Sequence, residues 1–247
     1  LFEEIEVANN NVRINNNGTS GVIRFQGPSS SNPVTVRFNN NSTIDGIELN
    51  SANIHLLGNQ IHFATSDYST YIQETSNDVL DFYVGGDNML KIDEGNSAIT
   101  TPQQPAFLAY KNSTQSNIAI DSNVTITFNT EVFDNTNNFS SDVFTAPVTG
   151  KYLLGFHLCL QSIDISASRY FANIITSNRS YVTDIFTSDT NAFDADLSYW
   201  SVGGTVVADM DATDTAYITL HQDGGTTQTD IYGTSNPQSR FFGYLLG

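Results

Sequence analysis

The side chains able to do chemistry in this 247-residue chain are few in kind: four histidines, one cysteine, and 26 acids against 9 lysines and arginines. The acids are densest at Asp194, Asp196, Asp209, Asp211 and Asp214. Two of them facing each other across a sugar-sized cleft, one kept protonated by burial or by its neighbour's charge, would make a glycosidase pair. Hard carboxylate oxygens converging on one point would instead hold calcium, and Asp209, Asp211 and Asp214 are the candidate ligands. No EF-hand loop accompanies them and no catalytic motif surrounds them, so the plainest role is solvent-facing charge, and the chain is not expected to be an enzyme.

The other reactive groups read mainly as structure. His55 and His62 are the middle residues of successive Ile-His-apolar triplets, with no Cys, Asp or second His at zinc-ligand spacing beside them. His157 and His221 read as strand residues with satisfied ring nitrogens, outside any nucleophile motif. Cys159, in Phe156-His-Leu-Cys-Leu160, has no partner for an internal disulfide, and its apolar setting favours a buried thiol. Trp200, in an alternating segment, suits the core or a subunit interface better than a glycan-stacking platform. Asn17, Asn40, Asn41, Asn112, Asn123, Asn138 and Asn178 stand in Asn-X-Ser/Thr sequons: glycan acceptors in a eukaryotic secretory product, ordinary polar turn residues in a protein made in bacterial cytoplasm.

The composition bounds the partners. A formal net charge of -17 repels phosphate backbones, which excludes nucleic acid. No apolar run approaches the roughly 20 residues of a membrane span, and the Leu-Phe-Glu-Glu-Ile opening is no signal peptide. That opening on Leu1 reads as a fragment or processed product. Only 14% of residues are charged while Asn, Ser and Thr abound, so the surface is neutral and polar, as in secreted or virion surface proteins.

The elements that must position these residues are all strands. In the first half a triplet recurs, two apolar side chains flanking one polar: Val12-Arg-Ile14, Ile23-Arg-Phe25, Val36-Arg-Phe38, Ile47-Glu-Leu49, Ile54-His-Leu56, Ile61-His-Phe63 and Leu90-Lys-Ile92. In a strand both apolar groups fall on one face. The stretches between are rich in Asn, Gly, Ser and Pro and read as turns. Rungs this thin bury little within one chain; three chains around an axis would enclose them. Residues 1–101 are therefore expected to form an intertwined trimeric stem, a β-prism or triple β-helix, with a single-chain solenoid as the alternative. Gly85-Gly86 reads as a tight hairpin turn, and Asp93 to Pro105 as a linker. In the second half, strands are expected at 106–110, 125–128, 150–161, 170–176, 181–187, 199–208, 216–221 and 240–246.

Five pieces of that second half stand in a recognisable order: Pro105-Ala-Phe-Leu-Ala-Tyr110; Ile126-Thr-Phe128 with Glu131-Val-Phe133-Asp-Asn135; Phe139 to Phe156 around Pro147-Val-Thr-Gly150; Asp211 to Leu220; and Phe241-Phe242-Gly243-Tyr-Leu-Leu246. Together they resemble the C1q-like branch of the C1q and tumour necrosis factor family. The resemblance implies an all-β fold with a ten-stranded jelly-roll sandwich over 102–247, assembled as a homotrimer. The family's glycine before the Asp of the penultimate segment is Thr213 here, and no collagen-like stalk precedes the head. The segments Asp67 to Glu74 and Val79 to Asp93 resemble strand-and-turn units of bacteriophage tail-fibre and appendage proteins.

These resemblances imply a virion appendage, a fibre, spike or needle, whose stem joins other virion proteins through its N-terminus and whose knob binds a host surface glycan or protein receptor. The alternatives are a secreted C1q-like recognition protein and a trimerisation cap without a ligand. Binding is expected on loops Ser162 to Ser168, Ser177 to Tyr181 and Ser188 to Asp196, where Arg179, Tyr181, Phe193 and Asp194 offer polar and stacking contacts. Phe133, Tyr152, Phe156 and Phe242 are the expected core or interface aromatics.

Overall fold

Short alternating segments cut by Gly, Asn and Asp turns leave the backbone one economical way to pair its polar groups, which is a set of antiparallel ladders. The computed structural model describes residues 60–63, 68–187 and 195–247, all within one compact unit, Leu56–Gly247. The rungs beginning at Val12, Ile23, Val36, Ile47 and Ile54, and with them most of the expected stem, lie outside the described residues.

Five strands form a first antiparallel sheet in chain order: β1 (Gln60–His62), β2 (Tyr71–Ser76), β3 (Val79–Val84), β4 (Asp87–Asp93) and β5 (Ala98–Thr100). Gly85 and Gly86, at φ 63° and 92°, make the expected tight turn, with Val84 paired to Asp87. The linker expected from Asp93 to Pro105 is partly a strand instead. The Asn96 N–H and side-chain amide both donate to Asp93, which turns the chain so that Ile99 pairs with Ile92. Asp81 is buried in this sheet, and its carboxylate accepts from Thr75 Oγ1 (2.5 Å) and Asn88 Nδ2 (2.8 Å).

The remaining strands build a sandwich: β6 (Ala106–Tyr110), β7 (Val124–Thr125), β8 (Thr130–Asp134), β9 (Phe139–Ser140), β10 (Val143–Thr145), β11 (Gly150–Ile163), β12 (Arg169–Thr176), β13 (Ser180–Thr187), β14 (Leu197–Met210), β15 (Thr215–Asp223), β16 (Asp230–Ile231) and β17 (Arg240–Leu245). One sheet runs β14-β11-β17-β6-β8 with β16 also on β11; the other runs β13-β12-β15-β10-β9 with β7 on β15. The last strand thus pairs with the first, and the order is that of a jelly roll. Among the described residues there are twelve segments where ten strands are expected, and β7, β9 and β16 are two-residue pairings at the sheet margins.

The core lies between the two sheets. From β11, Tyr152, Leu154, Phe156, Leu158 and Leu160 alternate inward and meet Tyr170, Ala172 and Ile174 of β12 and Ala216, Ile218 and Leu220 of β15, all buried. A phenylalanine cluster closes one end, with Phe107 stacked on Phe144 (4.7 Å) and Phe139 (5.0 Å) and edge-on to Phe241 (4.9 Å). Gly243 makes room for it, since a Cβ there would lie 2.8 Å from Phe107 Cε1. Gly150 has an ordinary backbone; what excludes a side chain is Leu245 Cδ1, 2.7 Å from where Cβ would be. Phe156 and Tyr152 are core residues of their own chain, whereas Phe133 and Phe242 are not in the core cluster.

Thr213 sits in the turn between β14 and β15 at φ 76° and donates its N–H to Ala146 O (2.7 Å). A β-branched residue is strained there by about 1–2 kcal/mol, while glycine adopts the conformation freely. Thr213→Gly is expected to raise stability by about 1 kcal/mol after the greater chain entropy of glycine is deducted. Denaturant unfolding of the two proteins measures it, and a loss of stability would show that the turn depends on the Thr side chain.

Candidate functional site

Strand register sorts the candidate loops between the two ends of the sandwich. Ile163 pairs with Leu197 and Arg169 with Thr187, whereas Gly150 pairs with Met210 and Ile175 with Ser180. Loop 164–168 and the strand ends flanking 188–196 are therefore at one end, and the 177–179 turn is at the other. Phe193 and Asp194 lie outside the described residues. Arg179 is exposed in its turn, its backbone held by Thr176, and Tyr181 packs half-buried against the core.

At the Gly150 end, two of the three aspartates expected to hold calcium have their carboxylates engaged by other groups. Asp209 pairs with Lys151 at 3.4 Å, both well exposed. Asp214 Oδ2 accepts from the Asp211 N–H (2.9 Å) and from Asn178 Nδ2 (2.7 Å), and so caps the turn. The structure does not bring the three carboxylates to one point. Among the described residues, the three potential ligand atoms that do gather, within 4.8 Å of one another, belong to Asp121, His221 and Asp223 at the opposite end.

That opposite end is organised by Asp164, which is buried. Its Oδ1 accepts from the Ser166 N–H (2.7 Å) and Oγ (2.5 Å), and its Oδ2 from the Thr226 (2.5 Å) and Thr227 (2.7 Å) N–H groups. One carboxylate thereby ties the β11–β12 loop to the β15–β16 loop. Burial pushes this carboxyl up, but the donors from Ser166, Thr227 and Thr226 outweigh it and hold it at about 2, below the ordinary 3.8. The Ser168 N–H and Oγ reach Asp223 O, completing the junction.

A second buried ionisable group, Lys111, follows β6. Its Nζ donates to Thr127 Oγ1 at 2.7 Å. Burial lowers its pKa from 10.5 to about 8, against the opposing pull of Asp142. Cys159 is buried and free, as its neighbours imply, and Trp200 is 39% exposed on β14. The sequon asparagines in the sandwich act as turn residues: Asn123 Oδ1 meets His221 Nδ1, Asn112 Nδ2 donates to Thr130, and Asn178 holds Asp214.

Sequence reasoning missed both Asp164 and the Asp121–His221–Asp223 group. The only local signal for the latter was the His-Gln-Asp spacing at 221–223, which puts imidazole and carboxylate on one face of a strand. Asp121 joins them through non-local pairing, its N–H donating to Gln222 O at 2.9 Å.

Two pH dependences follow in separate windows, and in both stability rises with pH. The Asp164 carboxyl is depressed on folding, so its contribution is present above pH 4 and is lost as pH falls toward 2, about 2 kcal/mol in all. Asp164→Asn should lower the melting temperature at neutral pH and flatten the acid limb of the stability curve. The Lys111 ammonium is disfavoured by folding, so stability should rise by about 2 kcal/mol between pH 8 and 10. Above that, Tyr152 and Tyr170, whose hydroxyl pKa values burial raises, begin to oppose it. Lys111→Met should remove the rise, and an equal slope in both proteins would assign it elsewhere.

The C1q domain family matches residues 106–246 of this chain. Similar solved structures include the globular domain of the zebrafish complement 1qA protein, 22% identical with a TM-score of 0.42 over 58% of this chain and 98% of that one. Murine APRIL at pH 8.0 is 11% identical with a TM-score of 0.40, covering 58% of this chain and 99% of that one. No curated protein sequence matches the chain significantly. The family match begins on the strand that opens the sandwich, ends beyond the strand that closes it and takes in more than half of the residues: the chain belongs to the C1q domain family.

Proposed function

We propose that this chain is a homotrimeric attachment protein, the knob and stem of a virion fibre, spike or needle, whose C1q domains bind a glycan or protein receptor on the host surface. C1q domains are recognition modules rather than enzymes, they commonly form homotrimers, and proteins that carry them are typically extracellular. The observation that carries the reading is the outer face of the β14-β11-β17-β6-β8 sheet. Cross-strand rows place Phe133, Leu108 and Phe242 together, and beside them Tyr244, Leu153 and Val207. Phe133 (44%), Tyr244 (41%) and Val207 (53%) are exposed in the single chain. The Phe242 ring lies over Gly155, where a Cβ would collide with it, so the face has a shaped aromatic surface rather than scattered apolar atoms.

Covering that face with two further copies would carry three sets of end loops on one axis. Three weak receptor contacts then act with a raised effective concentration once the first is made. The thin apolar rungs of residues 12–63 support a stem built by the same three chains, with the division near residue 101. The charge of -17 favours a neutral glycan or a protein over an anionic polysaccharide. The typically extracellular setting of the family equally suits a secreted recognition protein, the second reading.

Light scattering on the full chain should give three times 27.0 kDa. Phe242→Glu, which puts a charge in the middle of the face, should yield monomers that keep the sheet spectrum. Purified trimer should compete with virion attachment, and the monomeric variant should compete at least tenfold less well. A wild-type monomer at micromolar concentration would sink the trimer. A trimer that fails to compete leaves only the cap, and cell-surface binding by the purified trimer where no virion carries the chain favours the secreted protein.

A further inference from the structure

The Asp121–His221–Asp223 group lies on the outward side of the β12–β15 sheet, away from the sheet face assigned to the trimer. His221 and Asp223 are alternate residues of β15 and so point the same way. Asp121 arrives from the loop before β7 and is pinned beside them twice: its N–H donates to Gln222 O (2.9 Å), and its Oδ1 accepts from the Gly224 N–H (2.8 Å). The ligand atoms of the three side chains lie within 4.8 Å of one another.

The imidazole is prepared as a ligand by neighbours outside the group. Asn123 Oδ1, which can only accept, lies 3.1 Å from His221 Nδ1, so Nδ1 is the donor, and in the neutral ring the lone pair is left on Nε2. The ring is fixed in plane by stacking on Phe171, with centroids 4.6 Å apart and 13° between planes. Arg169, whose strand position faces Asp223, holds its guanidinium 4.5 Å over the Phe171 ring. The Asp223 carboxylate takes no hydrogen bond or ion pair among the described residues.

We propose that Asp121, His221 and Asp223 form a binding site for a divalent transition-metal ion of the zinc type. One neutral imidazole nitrogen with two carboxylate oxygens is a borderline donor set that suits zinc, whereas calcium takes oxygen donors in larger number. Three protein ligands leave a coordination position for water. Asp121 is tied to the 223–225 turn by the Gly224 N–H, and Asp164 accepts from Thr226 and Thr227 just beyond that turn, so the ion would fix the same end of the sandwich.

The test is titration of zinc chloride, and separately calcium chloride, into the chelator-treated full chain, followed by calorimetry. The expected result is one zinc per chain with micromolar or tighter affinity, and calcium at least tenfold weaker. His221→Gln and Asp223→Asn should each weaken zinc about tenfold or more, with melting temperatures in chelator close to that of the wild type. Asp223→Asn keeps the shape of a side chain that takes no hydrogen bond or ion pair among the described residues, so it stays informative if His221→Gln misfolds. Cobalt(II) gives a second readout, a visible absorption band that His221→Gln should abolish. Absence of zinc uptake, uptake unaffected by either substitution, or calcium bound as tightly as zinc would each overturn the site.

Discussion

Strand β11 has apolar side chains on both faces, and the rest of the fold answers to that constraint. On one face Tyr152, Leu154, Phe156, Leu158 and Leu160 require a second sheet, which β12 and β15 supply from the same chain. On the other, Leu153 stands in a row with Tyr244 and Val207, and no element of the chain covers them among the described residues. A strand paired on both edges by β14 and β17 has no freedom to twist that row out of water. Two cores are thus specified by one strand, and only the first can be completed by folding. The second is left open by the described residues, and in the proposed trimer its burial would tie the domain's stability to association.

This constraint also explains what was legible in the sequence. The strand β11 reads as imperfectly alternating because both faces are apolar, and its start, like those of β6, β12, β15 and β17, falls at or within one residue of where the pattern puts it. Segments whose pairing is dictated by distant partners were not legible. Val124–Thr125 continues as a strand in the pattern to Phe128, yet after two pairs with β15 its hydrogen bonds go to Gln115, Ile218 and Asp142. The linker before Pro105 hides β5 because its turn rests on one side chain, Asp93, rather than on glycine or proline. Phe133 and Phe242 were grouped with Phe156 by aromatic type; only register separates the two that face outward from the one that faces in.

The site residues divide in the same way. Local composition drew attention to the aspartates at 209, 211 and 214, but closeness in sequence scatters carboxylates around a turn as often as it gathers them, and here Lys151 takes one and the turn's own N–H takes another. The groups that do converge come from positions about a hundred residues apart, joined because β15 is the strand against which the 120–126 stretch is laid. Asp164 is similar: a lone acid after a strand in the sequence, and in the fold the acceptor for two loops at once.

Charge and burial then assign different tasks to different parts of the domain. With 26 acids against 9 lysines and arginines, the surface cannot be held together by ion pairs, and only two occur among the described residues. The loops are instead fixed by carboxylates that accept backbone N–H groups, as at Asp164, Asp214 and Asp121. Such bonds are short, directional and local, and salt screens them far less than exposed ion pairs. A domain built this way keeps its end loops rigid in changing ionic surroundings while the outward aromatic face stays uncharged in its centre. Acids fix the ends and aromatics form the side, so a substitution in an end loop leaves the aromatic face untouched, which is the separation that the proposed trimeric, surface-binding role would need.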